Sequence, residues 1–249
     1  MASHVVQGRG IETPVEVRDA SVCLAAYLVR ADAARAVLAY SRMDVTEVLP
    51  GKALCCLVFV RYHDSDLGSY NEFGVTFLVR PADAGPPPRR GPLAGLKDLH
   101  RSGSGAFIHW LPVDQAFTME AGRTIWGFPK ELADVNLRLR SPYKRCLLRK
   151  DGRMVVDLLL RPGIPATPAP LLGETLPVPP AYAHLDGVTR RVPWTARARG
   201  IRWRPGGALI RLGNHPIAKE LSELGLPRRA LMTATAEHVS MAFEEPGHA

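Results

Sequence analysis

Apolar positions along this chain recur mostly at strand spacing. Ala53–Tyr62 (ALCCLVFVRY) is apolar on both alternating faces, the pattern of a strand buried in the middle of a sheet. Phe73–Arg80 (FGVTFLVR) follows a glycine-containing turn and reads as its antiparallel neighbour, which puts Glu72 at the start of a strand. Val22–Val29 (VCLAAYLV) and Ala106–Val113 (AFIHWLPV) are apolar runs of strand length. In the second, Phe107, His109 and Leu111 alternate with Ile108, Trp110 and Pro112. Two hairpins follow. CLLRKDGRMVVDLLL turns at Asp151-Gly152, a dipeptide suited to a primed turn. Gly200–Gly213 turns at Pro205-Gly206-Gly207. Between them and the Ala106–Val113 strand, Val135, Leu137 and Leu139 alternate in VNLRLR. Extended backward, that alternation sets Glu131 on their face and Lys130 on the opposite one, unless a bulge at Ala133-Asp134 resets the register.

Helical spacing is clear in two segments. Ala33–Tyr40 has Ala34, Val37 and Leu38 at i, i+3 and i+4, with Asp32 placed to cap it. Pro216–Leu224 carries a stripe of Ile217, Leu221 and Leu224; Asn214 or His215 caps it, and Gly225 and Pro227 stop it. Ala230–Phe243 fits strand and helix equally. Residues 1–19 read as a loosely ordered arm. The Pro- and Gly-rich stretch 82–104 reads as either a flap over a pocket or a surface insertion, and 162–183 as a surface crossing. The expected fold class is α+β, predominantly antiparallel β with few helices, and residues 20–245 form a single domain.

Composition narrows the function classes. A chain of 249 residues buries a sizeable core. No apolar run approaches the roughly 18–20 residues of a membrane helix. MASHVVQGRGIETP has no apolar core of signal-peptide type, so the expected compartment is the cytoplasm. Cys23, Cys55, Cys56 and Cys146 have neither C-x-x-C spacing nor nearby histidines, and read as buried thiols; no metal is expected. The net charge of +8 raises the question of nucleic acid, but the arginines are scattered and no recognition motif accompanies them. The surplus fits attraction of an anionic substrate instead.

Lysine is scarce: six residues, against 26 arginines among the 32 basic side chains. One of the six, Lys130, ends the stretch EAGRTIWGFPK, directly after Ile125, Trp126, Phe128 and Pro129. A lysine after a turn is ordinarily exposed. Here Pro129 stiffens the backbone and biases Phe128 toward an extended conformation. Apolar surroundings disfavour an ammonium, and an amine freed of its proton attacks a carbonyl to form a Schiff base. Glu72 is a candidate proton shuttle for such chemistry. No G-x-S-x-G elbow points to a serine hydrolase.

Gly122, Arg123, Phe128, Pro129, Lys130 and Leu132 fit the pattern GR-x-x-x-x-(aromatic)-PK-x-L, and in this the chain resembles the acetoacetate decarboxylase family. His63-Asp64 followed by Leu67–Gly74 is similar to the family's HD…LG-x-Y-x-E-x-G segment. His184–Val188 and His215-Pro216…Leu224–Pro227 resemble an actinobacterial-type branch, and the likeness runs from about residue 20 to about residue 245. The resemblance implies a β-barrel-like α+β fold around a closed pocket, a homo-oligomer, and an imine between Lys130 and a small oxo acid or ketone, with Glu72 in the pocket and no cofactor. Tyr70, Trp110, Trp126, Phe128, Glu120 and Arg123 are the expected pocket or loop residues around it. Glu120 is placed to neutralise Arg123, and Arg123 to organise the loop.

The chain departs from the family at identifiable positions. Pro129 and Glu131 stand where a second lysine is expected beside the first. A pocket arginine falls around Val22, with Arg18 the nearest substitute, and a second glutamate falls in Leu57–Val58. Imine formation leads either to decarboxylation or to aldol, dehydration or cyclisation chemistry without loss of CO₂. A binding protein that uses the same pocket without forming an imine is the alternative class.

Overall fold

The computed structural model describes residues 2–82, 103–166, 175–176 and 178–248. In the N-terminal half the strands are β1 (Ser3–Val6), β2 (Arg9–Glu12), β3 (Val15–Arg30), β4 (Met43–Val45), β5 (Glu47–Leu49), β6 (Lys52–Ser65), β7 (Tyr70–Pro81) and β8 (Gly105–Val113). There follow β9 (Lys130–Leu132), β10 (Asp134–Arg138), β11 (Lys144–Lys150), β12 (Arg153–Leu160), β13 (Ile164–Pro165), β14 (Thr175–Leu176) and β15 (Ala181–Leu185). The last are β16 (Val188–Val192), β17 (Trp194–Arg199), β18 (Arg202–Pro205), β19 (Ala208–Leu212), β20 (Met232–Phe243) and β21 (Gly247–His248). Three helices accompany them among the described residues: α1 (Ala31–Leu38), α2 (Ala116–Trp126) and α3 (Pro216–Glu223). None is long and apolar enough to cross a membrane. The class is α+β with antiparallel strands predominating.

The largest sheet runs β13-β18-β20-β3-β6-β7-β8-β15-β16-β21. Strands β3, β6 and β7 pair antiparallel along their lengths. Strand β8 pairs antiparallel with β7 on one side and takes β15 and β9 in parallel on the other. The order has two ends, so the expected barrel does not close.

Because the central strands are apolar on both faces, the sheet serves two cores. One face sends Tyr27, Leu57, Phe59, Phe73 and Val75 against Leu148, Val156 and Leu158 of the four-stranded sheet β10-β11-β12-β19 and against α3. The other face, with Val60, Tyr62 and Leu111, meets α2, Val6 and Ile11 of the β1-β2 hairpin, and Val239 and Met241 of β20.

Several expectations need correction. Residues 1–19, read as a loose arm, hold from Ser3 onward the β1-β2 hairpin and the start of β3, with Val6, Ile11, Val15 and Val17 buried. Their alternation is short and interrupted by Gly8 and Gly10, so the strand signal is weak locally and is completed by pairing. Ala230–Phe243 resolves as strand β20, since β3 on one side and β17 and β18 on the other both offer ladder partners. Helix α1 begins at Ala31 with Arg30 as a cap that makes no side-chain bond, two residues before the expected Asp32 cap. In α3 the expected cap is present: His215 Nδ1 accepts from the Ile217 N–H at 3.2 Å. Except at its ends, the stretch 82–104, read as either a flap or a surface insertion, lies outside the described residues.

Candidate active site

Helix α2 and the short strand β9 deliver Lys130. The helix buries Thr118, Ala121, Gly122 and Ile125, a stripe at i, i+3, i+4 and i+7. It stops at Gly127, whose left-handed backbone (φ 67°) lets the chain reverse. The Phe128 N–H then bonds back to Gly122 O at 3.1 Å, and the Lys130 N–H reaches Phe128 O at 2.7 Å around Pro129. Strand β9 adds in parallel to the end of β8, pairing Lys130 with Leu111.

The Gly122-Arg123 pair holds the lysine at both ends. A Cβ on Gly122 would lie 2.5 Å from Lys130 Cδ and 2.6 Å from Cε, so a larger residue there would displace the alkyl stem. Arg123 Nη1 donates to Lys130 O at 3.2 Å. The side chain is thereby directed inward, and Lys130 is 3% exposed.

Its ammonium meets Glu72. Nζ stands 2.8 Å from Glu72 Oε2, and Glu72 is itself 7% exposed. The other carboxylate oxygen accepts from Tyr62 Oη at 2.9 Å. Tyr62 and Tyr70 stack with centroids 4.2 Å apart, and Lys130 Nζ lies 5.1 Å from the Tyr70 ring centre. Burial, and then the adjacent Glu72 charge, pushes both phenols well above their ordinary range, so each keeps its proton. Glu72 is thus held by Tyr62 on one oxygen and presents the other to the lysine.

This pair lies in the wall of a cavity of about 510 Å³. Lys130 and Glu72 are its charged lining residues among those described; the remainder are apolar chains and a few neutral hydroxyls. Trp126 and Phe128 line it, stacked at 5.4 Å, and Trp126 is anchored by its Nε1 to Glu244 O at 3.0 Å. Cys56 lines it too, its thiol pushed up to about 12 by burial.

The structure therefore brings together Lys130, Glu72, Tyr70, Trp126 and Phe128. It places three expected residues elsewhere. Trp110 points into the opposite core and donates to Glu131 Oε2 at 3.0 Å. Glu120 accepts from Gln7 at 2.8 Å on the surface, not from Arg123. Arg123 touches the Lys130 backbone from outside the cavity. Glu131 faces Trp110 and Lys150, away from the Lys130 side chain, as strand alternation requires.

Arg18 is not a pocket residue. It clamps Asp64 and Asp66 at the surface, at 2.7 and 2.6 Å. Val22, around which the pocket arginine of the resemblance falls, lines the cavity; of Leu57–Val58, where its second glutamate falls, Val58 lines the cavity and Leu57 enters the opposite core. Tyr62 escaped sequence reasoning: it ends an apolar run and carries no motif, and only its pairing opposite Tyr70 on β7 sets it beside Glu72.

A two-layer antiparallel scaffold thus encloses an apolar cavity with a buried lysine–carboxylate pair in its wall. The chain belongs to the acetoacetate decarboxylase family, which its sequence matches over residues 4–244. No curated protein matches it in sequence. Among solved structures it is similar to the acetoacetate decarboxylase from Legionella pneumophila, with a TM-score of 0.70 at 18% identity, covering 97% of this chain and 90% of that one. The enduracididine biosynthesis enzyme MppR, complexed with the condensation product of pyruvate and imidazole 4-carboxaldehyde, gives 0.66 at 15% over 96% and 90%. An acetoacetate decarboxylase-like enzyme from Sphingomonas wittichii RW1 gives 0.64 at 14% over 100% and 99%. At these identities the likeness is one of fold.

Proposed function

We propose that this chain is a Schiff-base enzyme, a carbon–carbon lyase in the broad sense, in which Lys130 attacks the carbonyl of an oxo acid or ketone. The observation that carries the reading is the 2.8 Å contact between Lys130 Nζ and Glu72 Oε2 inside an apolar wall. A proton passed from Nζ to Oε2 leaves a neutral amine beside a carboxylic acid. The amine forms the N–C bond, the carbonyl electrons move to oxygen, and that oxygen takes the proton from Glu72. Glu72 recovers a proton from the new nitrogen and returns it to the hydroxyl, which leaves as water. The product is a protonated imine facing a carboxylate, so the buried charge pair is present before and after. Neither charge is left alone in the cavity, where an unpaired one is costly.

The imine draws electrons from the bond next to it. In a 3-oxo acid that bond is C–CO₂ on the adjacent carbon, and decarboxylation follows. In a ketone it is C–H or C–C, and the enamine supports aldol, dehydration or cyclisation steps, with Glu72 moving the proton. The second course is favoured here, because the described cavity lining offers a substrate carboxylate no second cation. The condensation product with which MppR is complexed fits that course. The homo-oligomer implied by the family and a cytoplasmic location belong to the same proposal.

The test is borohydride reduction in the presence of ketones and oxo acids, read by intact-mass spectrometry on wild type and Lys130→Ala. A reduced adduct that maps to Lys130 and vanishes in the variant is the expected result, and its mass reports whether CO₂ has left. Absence of any adduct while a ligand still binds would replace the enzyme reading with a non-catalytic binding protein.

A further inference from the structure

The cavity presents much more apolar wall than a small oxo acid can use. Glu72, Gly74, Thr76 and Leu78 form one face of β7, spanning about 20 Å at about 3.4 Å per residue. Across the ladder, Leu54, Cys56, Val58 and Val60 on β6 run beside that row. Most of these chains beyond Glu72 and Gly74 are only half-buried, although their neighbours on the opposite face are fully buried. Gly74 adds no side chain to this row, and Leu111 Cδ1 comes within 3.3 Å of where its Cβ would stand, so the apolar wall continues from the lysine–glutamate pair past Leu111 to Thr76 and Leu78.

Charge points the same way. Lys130 and Glu72 already neutralise each other, and the other polar lining groups among the described residues, such as Ser65, Thr76 and Thr235, are uncharged. A carboxylate brought against this lining would face Glu72 with no cation of its own and lose its hydration. A neutral carbonyl at Nζ loses little, and every methylene laid along β6 and β7 gains. A volume of about 510 Å³ falls within the range of about 300–1,000 Å³ typical of pockets that enclose a medium-sized organic molecule.

We infer that the substrate is a neutral ketone or aldehyde with an extended aliphatic or aromatic tail, its carbonyl at Lys130 and its tail along the Gly74–Thr76–Leu78 row. This rests on Lys130 as the carbonyl-binding group, but the tail preference has its own readout. The carbonyl carbon becomes the imine carbon, and the adjacent C–H is the bond that Glu72 can open, with no CO₂ to release.

The experiment is calorimetric titration of the full chain with butanone, hexanone and octanone, and with α-oxo-octanoate as the charged counterpart. Affinity is expected to tighten about three- to fourfold per added methylene, and octanone is expected to bind at least about tenfold tighter than α-oxo-octanoate. Thr76→Trp, which fills the row beyond Gly74, is expected to abolish the gain from hexanone to octanone. Affinity indifferent to chain length, an oxo acid bound as tightly as its neutral counterpart, or octanone bound equally by Thr76→Trp would each overturn the inference. Borohydride trapping with octanone, run in parallel, separates the two claims. Tail-dependent binding without an adduct on Lys130 would sink the imine and keep the ligand class. Preferential trapping of pyruvate would do the reverse.

Discussion

Gly122 and Lys130 are packed so that the helix backbone at one forms the bed for the side chain of the other: a Cβ at Gly122 would stand 2.5 Å from Lys130 Cδ. The glycine in the signature thus makes room for the side chain of the lysine that follows it on β9. Gly122→Ala forces the stem off its bed or the helix off the sheet, at about 1–3 kcal/mol in stability. Imine trapping on Lys130 is expected to fall more than in Arg123→Ala, which removes one backbone contact from the surface side. Thermal melts and trapping rates on the two variants decide this. Equal trapping by Gly122→Ala and wild type would show that the lysine has another route into the cavity.

The Lys130–Glu72 pair is buried, and the rest of the described cavity wall carries no other charge. Removing one partner strands the other, so Lys130→Met is expected to cost about 3–5 kcal/mol in urea unfolding. Lys130→Met combined with Glu72→Leu is expected to recover that loss or exceed wild type, since an apolar pair of similar volume needs no desolvation. Additive losses in the double variant would mean that the two residues are stabilised independently. With Lys130 intact, Glu72→Gln is expected to slow adduct formation by about 10²–10⁴-fold through loss of the proton carrier.

Tyr62 holds one carboxylate oxygen of Glu72. Tyr62→Phe leaves Oε1 of Glu72 without its donor in an apolar wall, which costs about 1–3 kcal/mol in stability. Because the ring stack with Tyr70 survives, ligand affinity is expected to hold while trapping slows. A variant that binds more weakly and traps normally would assign Tyr62 to substrate contact instead.

Away from the site, acid sensitivity follows from two clamped carboxylates. The Arg145 guanidinium, bonded at 2.7 Å to each oxygen, holds Asp157 below its ordinary range against partial burial. Arg35, and then the Gly51 N–H, do the same for Glu47. With the folded pKa depressed, the unfolded chain takes up the proton first as pH falls. The stability these groups contribute is full above the usual carboxylate value near 4 and is lost as pH drops through the lower folded value. Melting temperature is expected to decline below about pH 4, and less steeply in Asp157→Asn and Glu47→Gln. Parallel curves for wild type and both variants would locate the acid transition elsewhere.

Much of this protein is written in short-range pattern. The two-faced apolar run of β6, the entry of β7 at Glu72, the Asp151-Gly152 hairpin and the capped helix α3 are legible because alternation, turn dipeptides and caps act over a few residues. The GR…PK stretch and the family it signals are legible for the same reason. Helix α2 is hidden in that stretch, although Thr118, Ala121, Gly122 and Ile125 keep helical spacing, because its buried face is mostly small residues, with Gly122 against the Lys130 stem.

What only the tertiary structure decided is which side chains share the cavity. Trp110 and Leu111 are neighbours in sequence, yet one enters the opposite core and the other pairs beside Lys130. Tyr62 reaches Glu72 from another strand, and Arg18 spends its charge on Asp64 and Asp66 instead of entering the pocket. Sequence by itself determined the alternation along each strand. The face that becomes cavity depends on register between strands and on what covers them, and a one-residue shift exchanges every side chain.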